Sequence, residues 1–526
     1  MEHSSETPFP YPIVEAFRKD PDVPAFEYRG RPVSRRAVLD LIARCAGGLR
    51  AAGLGPGSPV ALATGVTPEA FAAQIAALLL GARVTGLRPG LTPVQLGAVL
   101  PGMAAVVTDP TGETPELLAA AGTVPVLRIG RDLLGAGPPA DGTRPQGGAG
   151  APDVHHPTPE TLTAEGRPDD IALITLTSGS TGGPKGCGHS YRACAARWPW
   201  RTGHWDARTA ELAAGYRRFL LFGSFANAVV LDHLTLCLLS GGTAVIPDPP
   251  PAFPEVIARH RPTAVLMAVP RLHQVLDTLR TDPVDTGSLR VVLVAGSPLA
   301  PHRLAEATEL LGPVVHHAYG QTETGMLALL TPQELVRDPD LLDTVGRPWA
   351  DTEVSVRDDD DHPLPTGATG EIWVRTPSAM SGYWQNEAET REVLRPDGWV
   401  RTRDLGHLDE RGYLRLTGRS RDVIIINAAV HYAGPIEQVL TRHPDVDQAY
   451  VVAAPDERTG EAAHAFLVPG QGRAPDLAAL RASVAAELGA DAVPATFTLL
   501  DRVPVTPGGK PDKRALLDRL PADGGS

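Results

Sequence analysis

The chain has 526 residues, of which 43% are apolar and 21% charged, so it suits a folded soluble protein with more than one hydrophobic core. Its formal net charge of −13 argues against general binding to nucleic acid or to an acidic membrane surface, since both need a basic face. Cys45, Cys187, Cys194 and Cys237 form no C-x-x-C pair and read as small buried thiols. The start lacks the order of a secretory signal and no apolar run is long enough for a bilayer, which predicts a cytoplasmic location.

From residue 13 to about 90 short strands alternate with Ala/Leu-rich helices: strands at 24–28 and 58–63, helices at 34–52 and 68–80. That alternation predicts a mostly parallel sheet covered by helices. Further strands are expected at 104–108 and 124–129. Residues 134–167 are rich in Gly, Pro, Ala and Thr without a period, and read as a surface connection.

The next stretch organises the rest. A strand-like apolar run ends in Thr177, Ser178, Gly179, Ser180, Thr181, Gly182, Gly183, Pro184, Lys185 and Gly186. Glycines let successive N–H groups converge on one anion, the hydroxyls add donors, and Lys185 supplies a compact positive charge, so the loop is built to hold phosphate. Gly186 follows the lysine where an ordinary P-loop has Ser or Thr. A flexible Gly/Ser linker is the plain alternative. Against it, the chain holds only four lysines, Lys19, Lys185, Lys510 and Lys513, and one of them stands here.

Residues 219–239 are a long apolar segment carrying Asn227, Asp232 and His233, mostly core. Short strands at 244–247, 264–269 and 289–295 continue the α/β pattern. At 314–325 a strand end runs into Tyr319, Gly320, Gln321, Thr322 and Glu323, and carboxyl ends of parallel strands are where ligands bind. Beyond residue 345 the texture becomes β-rich, with strands at 353–357, 370–374 and 413–417 and an acidic hairpin tip at 358–361. A boundary is placed near Gly418, giving a large domain over 1–417 and a small one over 418–526. The small domain is expected to hold strands at 423–426, 447–454 and 463–468 and helices near 436–441 and 477–488. Lys510 closes it, and Lys513 and Arg514 read as solvated charges.

The loop ending at Lys185, the 319–323 run, Thr402-Arg403-Asp404-Leu405-Gly406 with Gly418-Arg419, and the terminal Lys510 together resemble the adenylate-forming superfamily of acyl- and aryl-CoA ligases, peptide-synthetase adenylation domains and luciferases. The resemblance covers nearly the whole chain in the same order. It implies an α/β fold: a large N-terminal domain of parallel-sheet subdomains with a small β-barrel-like region, and a small mobile C-terminal α+β domain. It implies ATP as substrate, with the loop around the β- and γ-phosphates and Tyr319 and Gly320 against adenine. Thr322 falls on the α-phosphate, Glu323 on Mg²⁺, and Asp404 and Arg419 on the ribose. Lys510 matches the mobile lysine that bridges the nucleophile and the α-phosphate, and Arg421 the hinge. Ser224, Asn227, His233, Gly296 and His317 are expected to line the acid pocket.

The chain departs from the family's pattern after the hinge. Ala428 stands where glycine commonly lets the pantetheine arm pass, and Val430 replaces asparagine. At Phe222-Gly223-Ser224-Phe225 the usual aromatic or histidine gate is missing. The resemblance implies ATP-dependent activation of a small, aromatic or short-chain acid as acyl-AMP, with transfer to CoA or a carrier thiol in the ordinary member. Two rivals keep the first half: capture by an amine to give an amide, or activation of nitrite and diazotisation of an aryl amine. A non-catalytic nucleotide-binding scaffold is the alternative from another class; Lys185, Glu323 and Lys510 stand against it. A homodimer is among the assemblies left open.

Overall fold

A helix with almost no exposed face sits at the centre of the large body. Thr67 caps Pro68–Leu79 by accepting the Ala70 N–H, proline opens it, and every residue except Glu69 is buried. The reason is that sheets lie on both sides. One apolar cluster contains Val60, Val84 and Ala105 from one sheet and Phe26, Phe219 and Ala244 from the other, and Phe71 meets Phe26 with ring centroids 5.4 Å apart. Alanines let the sheets approach, while each fully buried Phe contributes roughly 1.5–3 kcal/mol. The helix Ala228–Leu239 is buried from Val230 to Leu238, so the apolar stretch expected at 219–239 is a strand, Arg218–Leu220, followed by a core helix.

The computed structural model describes residues 7–135, 157–178, 184–349, 351–420, 422–426, 429–456, 458–470, 474–506 and 510–520. The first sheet has seven strands in the order Gly382–Tyr383, Pro184–Ser190, Ile171–Ser178, Arg83–Gly86, Pro59–Ala63, Ala105–Thr108, Val126–Arg128, and from Ile171–Ser178 onward all pairs are parallel. The second has nine, with Pro24–Tyr28, Thr243–Ile246, Arg218–Leu220, Ala264–Ala268, Val291–Ala295 and Val315–Gln321 parallel and antiparallel strands at both edges. Their carboxyl ends therefore share one edge. A four-stranded antiparallel sheet follows, ordered Glu353–Arg357, Gly370–Arg375, Val400–Leu408, Leu414–Arg419.

The last sheet begins at Val423–Ile426, directly after that sheet ends at Arg419. The two regions touch closely. A Cβ on Gly434 would lie 2.4 Å from the Gly418 Cα, and Gln438 Nε2 donates to the Leu416 carbonyl at 2.7 Å. Farther away, Asp447 of the strand Val446–Asp456 reaches the fully buried Arg303 of the helix Pro301–Leu311, 3.0 Å from its Nε. Arg303 also holds Asp277 and Glu306 at 2.9 and 2.7 Å, so its charge keeps partners on its own side of the interface. Lys513, expected to be solvated, instead pairs with Asp422 at 2.6 Å and Glu437 at 3.1 Å. Within the connection expected at 134–167, residues 136–156 lie outside the described ones; its far end is pinned, with Leu162 buried and Arg18 Nε donating to the Pro159 carbonyl. Among the described residues, no helix is long and apolar enough to cross a membrane.

Burial holds the imidazoles of His233 and His273 down at about 3, and those of His316 and His317 at about 4. The unfolded chain takes up these protons near pH 6.5, so the stability they confer is complete above that pH and is lost as pH falls from about 6.5 toward 4. The slope is about 1.4 kcal/mol per histidine per pH unit. Thermal melts should therefore show Tm at pH 5 well below Tm at pH 7.5. A flat Tm across that range would contradict enclosed, neutral rings.

Candidate active site

The two strands that flank the phosphate-loop candidate pair with each other, unlike the strand and helix that flank a P-loop. Ile171–Ser178 pairs antiparallel with Pro184–Ser190, with Thr177 opposite Lys185, and Thr177 Oγ1 donates to the Lys185 carbonyl at 3.4 Å. The glycine after the lysine has a packing cause: a Cβ on Gly186 would sit 2.8 Å from Ile174 Cγ2 and 3.2 Å from Trp384 Cβ. Gly179, Ser180, Thr181, Gly182 and Gly183 lie outside the described residues, as does the Ser178 side chain. Lys185 Nζ meets Glu389 Oε1 at 2.5 Å. Cys187 behind the loop is buried, and burial pushes its thiol up, which suits packing and not attack.

Across the cleft, the strand Val315–Gln321 turns back into Gly325–Leu330. Gly320 is required there, because an added Cβ would stand 2.4 Å from the Gly325 carbonyl oxygen. Tyr319 is enclosed, and its Oη donates to Asp404 Oδ2 at 2.6 Å. Gln321 Nε2 donates to the same oxygen at 2.5 Å and to the Thr402 carbonyl at 2.9 Å. Arg419 Nε donates to Asp404 Oδ1 at 2.9 Å. The nearly buried carboxylate thus has three donors, against roughly four acceptor positions in all. One further donor fits directly, and a second requires one of the three to swing aside.

Asp404 occupies this position because the strand Val400–Leu408 alternates, with Val400, Thr402 and Asp404 on its buried face. Between them Arg403 adopts a left-handed φ of 62°, a conformation costing about 1–2 kcal/mol for a residue with a Cβ. Its carbonyl accepts the Ser420 N–H at 2.9 Å, and its guanidinium pairs with Glu392 at 2.8 Å and Glu389 at 3.4 Å, which offset that cost. Glu323 follows Thr322 in the turn, and Tyr383 Oη donates to its Oε1 at 2.8 Å. Burial, then the Glu323 charge, push the Tyr383 phenol up, so it stays a donor.

Lys510 comes from the small domain and stands within electrostatic reach of Glu323, Asp404 and Arg419. Desolvation by the surrounding protein, then the Arg419 guanidinium, hold its ammonium below the usual lysine range, while the two carboxylates act the other way. Its carbonyl accepts the Thr506 N–H at 2.7 Å. Arg421, the expected hinge, lies outside the described residues, as do Asn427 and Ala428, and the side chain of Val430 is likewise not described.

The residues expected to line the acid pocket fall in different places. His233 is enclosed in the core, its Nδ1 2.7 Å from the Tyr216 hydroxyl and its ring between Tyr216 and Trp198, so it does not line the cleft. Asn227 spends its side-chain oxygen capping Ala228–Leu239. His317 is buried with Nδ1 3.2 Å from the Thr344 carbonyl. Ser224 and Gly296 do sit at carboxyl strand ends; Ser224 Oγ accepts the Ala226 N–H, and Gly296 turns with a φ of 100°. Gln321, Tyr383 and Glu389 were not anticipated. Gln321 lay inside the quoted run, but nothing in the sequence paired Tyr383 or Glu389 with residues so distant.

The chain matches the AMP-binding enzyme family over residues 13–384 and the AMP-binding enzyme C-terminal domain over 435–510. It is similar to a feruloyl-CoA synthase of Amycolatopsis sp, 30% identical over 504 residues and covering 95% of this chain and 96% of that one. Among solved structures it is similar to the amide bond synthetase McbA from Marinactinospora thermotolerans, 34% identical with a TM-score of 0.79, covering 96% and 98% of the two chains. It is also similar to o-succinylbenzoate CoA synthetase from Bacillus subtilis in complex with its acyl-adenylate intermediate, 25% identical with a TM-score of 0.78 and coverage of 99% and 100%. The chain belongs to the adenylate-forming superfamily as an ATP-dependent, AMP-forming ligase of the acyl- and aryl-CoA-ligase-like kind.

Proposed function

We propose that this ligase activates a small aromatic carboxylic acid as its acyl-AMP and passes the acyl group to an amine. The observation that carries the first half is the convergence of Tyr319, Gln321 and Arg419 on Asp404 and of Tyr383 on Glu323, with Lys510 of the small domain within electrostatic reach of both carboxylates. A carboxylate oxygen of the acid attacks the α-phosphorus, the bond to the bridging oxygen breaks, and pyrophosphate leaves with the electron pair. Lys510 offsets the negative charge that builds on the α-phosphoryl oxygens, and Thr322 donates there. Thr177 to Lys185 hold the departing phosphates. Tyr319 presents a ring face to adenine, Gly320 keeps the adjoining backbone close, and Asp404, supported by Arg419, accepts from the ribose.

Among the described residues, no three His, Cys, Asp or Glu side chains group to hold a metal. Glu323, fixed by Tyr383, fits a Mg²⁺ ion that arrives with the phosphates and takes most of its oxygens from them. Such an ion neutralises charge on the triphosphate.

In the second half an amine nitrogen attacks the acyl carbon, AMP leaves with the electron pair, and the extra amine proton is released. The amine is favoured over CoA by the 34% identity to an amide bond synthetase, against 30% and 25% to the two CoA-forming relatives above, and by Ala428 and Val430 in the sequence after the expected hinge. The test is pyrophosphate release with ATP, Mg²⁺ and a panel of aryl acids, alone and with CoA, hydroxylamine or aryl amines, or with nitrite plus an aryl amine. Acid-dependent release that yields an amide and no thioester is expected. A thioester in place of the amide overturns the acceptor, release that needs nitrite overturns the acid, and no release with any partner favours a scaffold.

A further inference from the structure

We infer that Glu389 is a positioning residue of the phosphate site, holding Lys185 and joining it to the strand that presents Asp404; the inference rests on the phosphate role proposed for Lys185. Glu389 lies 204 positions from Lys185 in sequence, yet their charged atoms are 2.5 Å apart and each side chain is only 14% exposed. The carboxylate is itself fixed. Asn386, capping the helix Glu387–Val393, accepts the Glu389 N–H at 3.2 Å and donates to Glu389 Oε2 at 3.4 Å. The oxygen that meets Lys185, Oε1, also meets Arg403 at 3.4 Å, next to Asp404 in the chain.

The same helix reaches the candidate metal carboxylate. Thr390 Oγ1 accepts the Tyr383 N–H at 2.9 Å, the Tyr383 ring lies 5.8 Å from Lys185 Nζ, and the Tyr383 hydroxyl holds Glu323. One short helix thus ties the lysine that meets the departing phosphates, the strand that meets the ribose and the carboxylate that meets the cation.

The physical need is clear. A lysine is a point charge on a four-carbon stem, and immobilising such a side chain costs conformational entropy. Its ammonium has three donors; Glu389 uses one and leaves two for phosphate oxygens. Glu389 thereby fixes the direction of the remaining two without touching substrate. A carboxylate beside a triphosphate also opposes binding, so Glu389 aids the transition state and not ATP affinity.

The distinguishing test therefore separates binding from turnover. Calorimetry with MgATP and no acid is compared between wild type and Glu389→Gln, and pyrophosphate release is measured with the acid that wild type turns over. ATP affinity should be unchanged or tighter, while kcat falls by about tenfold to a hundredfold, the scale of a ~1 Å misplacement. In a Lys185→Ala background the same substitution should add nothing, because Glu389 acts through that lysine. Glu389→Asp, which keeps the charge but shortens the reach, should show the same fall in kcat and serves if the glutamine variant does not fold. Equal kcat in variant and wild type, or an equal fall with and without Lys185, overturns the inference. A wild type that takes up no MgATP overturns instead the phosphate role of Lys185.

Discussion

Lys510→Ala should lower the rate of adenylation by about 10²–10³ while leaving ATP binding nearly intact, the size of effect seen when one preorganised transition-state donor is removed. Lys510 enters from the small domain within electrostatic reach of Glu323, Asp404 and Arg419, the groups proposed to surround the α-phosphate and its cation. Nothing reorganises at the moment of attack, which makes such a charge effective. Stopped-flow pyrophosphate release together with MgATP calorimetry checks this. An unchanged rate removes Lys510 from the reaction, and equal losses in rate and affinity make it a plain binding residue.

Asp404→Asn should raise the KM for ATP and lower kcat/KM by roughly 10²-fold, about 3 kcal/mol, the scale of a lost charge-assisted hydrogen bond in an enclosed site. Tyr319, Gln321 and Arg419 all aim donors at this carboxylate. Asparagine offers one acceptor oxygen where aspartate offers two, and leaves the Arg419 charge without its partner. A second signature isolates the sugar. Wild type should discriminate against 2′-deoxy-ATP, and the variant should lose most of that discrimination. A variant that still discriminates as wild type does would put the ribose elsewhere.

The interface geometry explains how both residues can serve one nucleotide. The small domain is held near the chain crossing by Gly434 against Gly418 and Gln438 on Leu416, and far from it by Asp447 on Arg303. Arg303 retains Asp277 and Glu306 if Asp447 leaves, so the contact can open without stranding a buried cation.

Much of this was legible in residues whose pattern carries its own cause. The alternation of strands and helices up to residue 90 follows from period and caps, and the helix Leu477–Leu488 from its Asp476 cap and its Ala/Leu-rich composition. The loop before Lys185 announces itself by glycines and hydroxyls. By contrast Val400–Leu408 hides, because Arg401, Thr402, Arg403 and Asp404 give it no apolar face; only a resemblance brought Asp404 forward. His233 misled for the opposite reason: a polar residue in an apolar helix suggested a pocket, whereas Tyr216 satisfies it inside the core. Lys513 read as solvated because its partners, Asp422 and Glu437, are 91 and 76 positions away. Tyr383 and Glu389 were silent, since their chemistry exists only after the strand Gly382–Tyr383 joins the edge of the first sheet.

Lys185 and Lys510 are proposed to act on one ATP, which an acid carboxylate opens at the α-phosphorus. Mass spectrometry of the enzyme quenched after mixing with MgATP and a turned-over acid, without acceptor, tests it most directly. Stoichiometric acyl-AMP with an equal yield of pyrophosphate is the predicted result, and ADP with inorganic phosphate from the same mixture would contradict it.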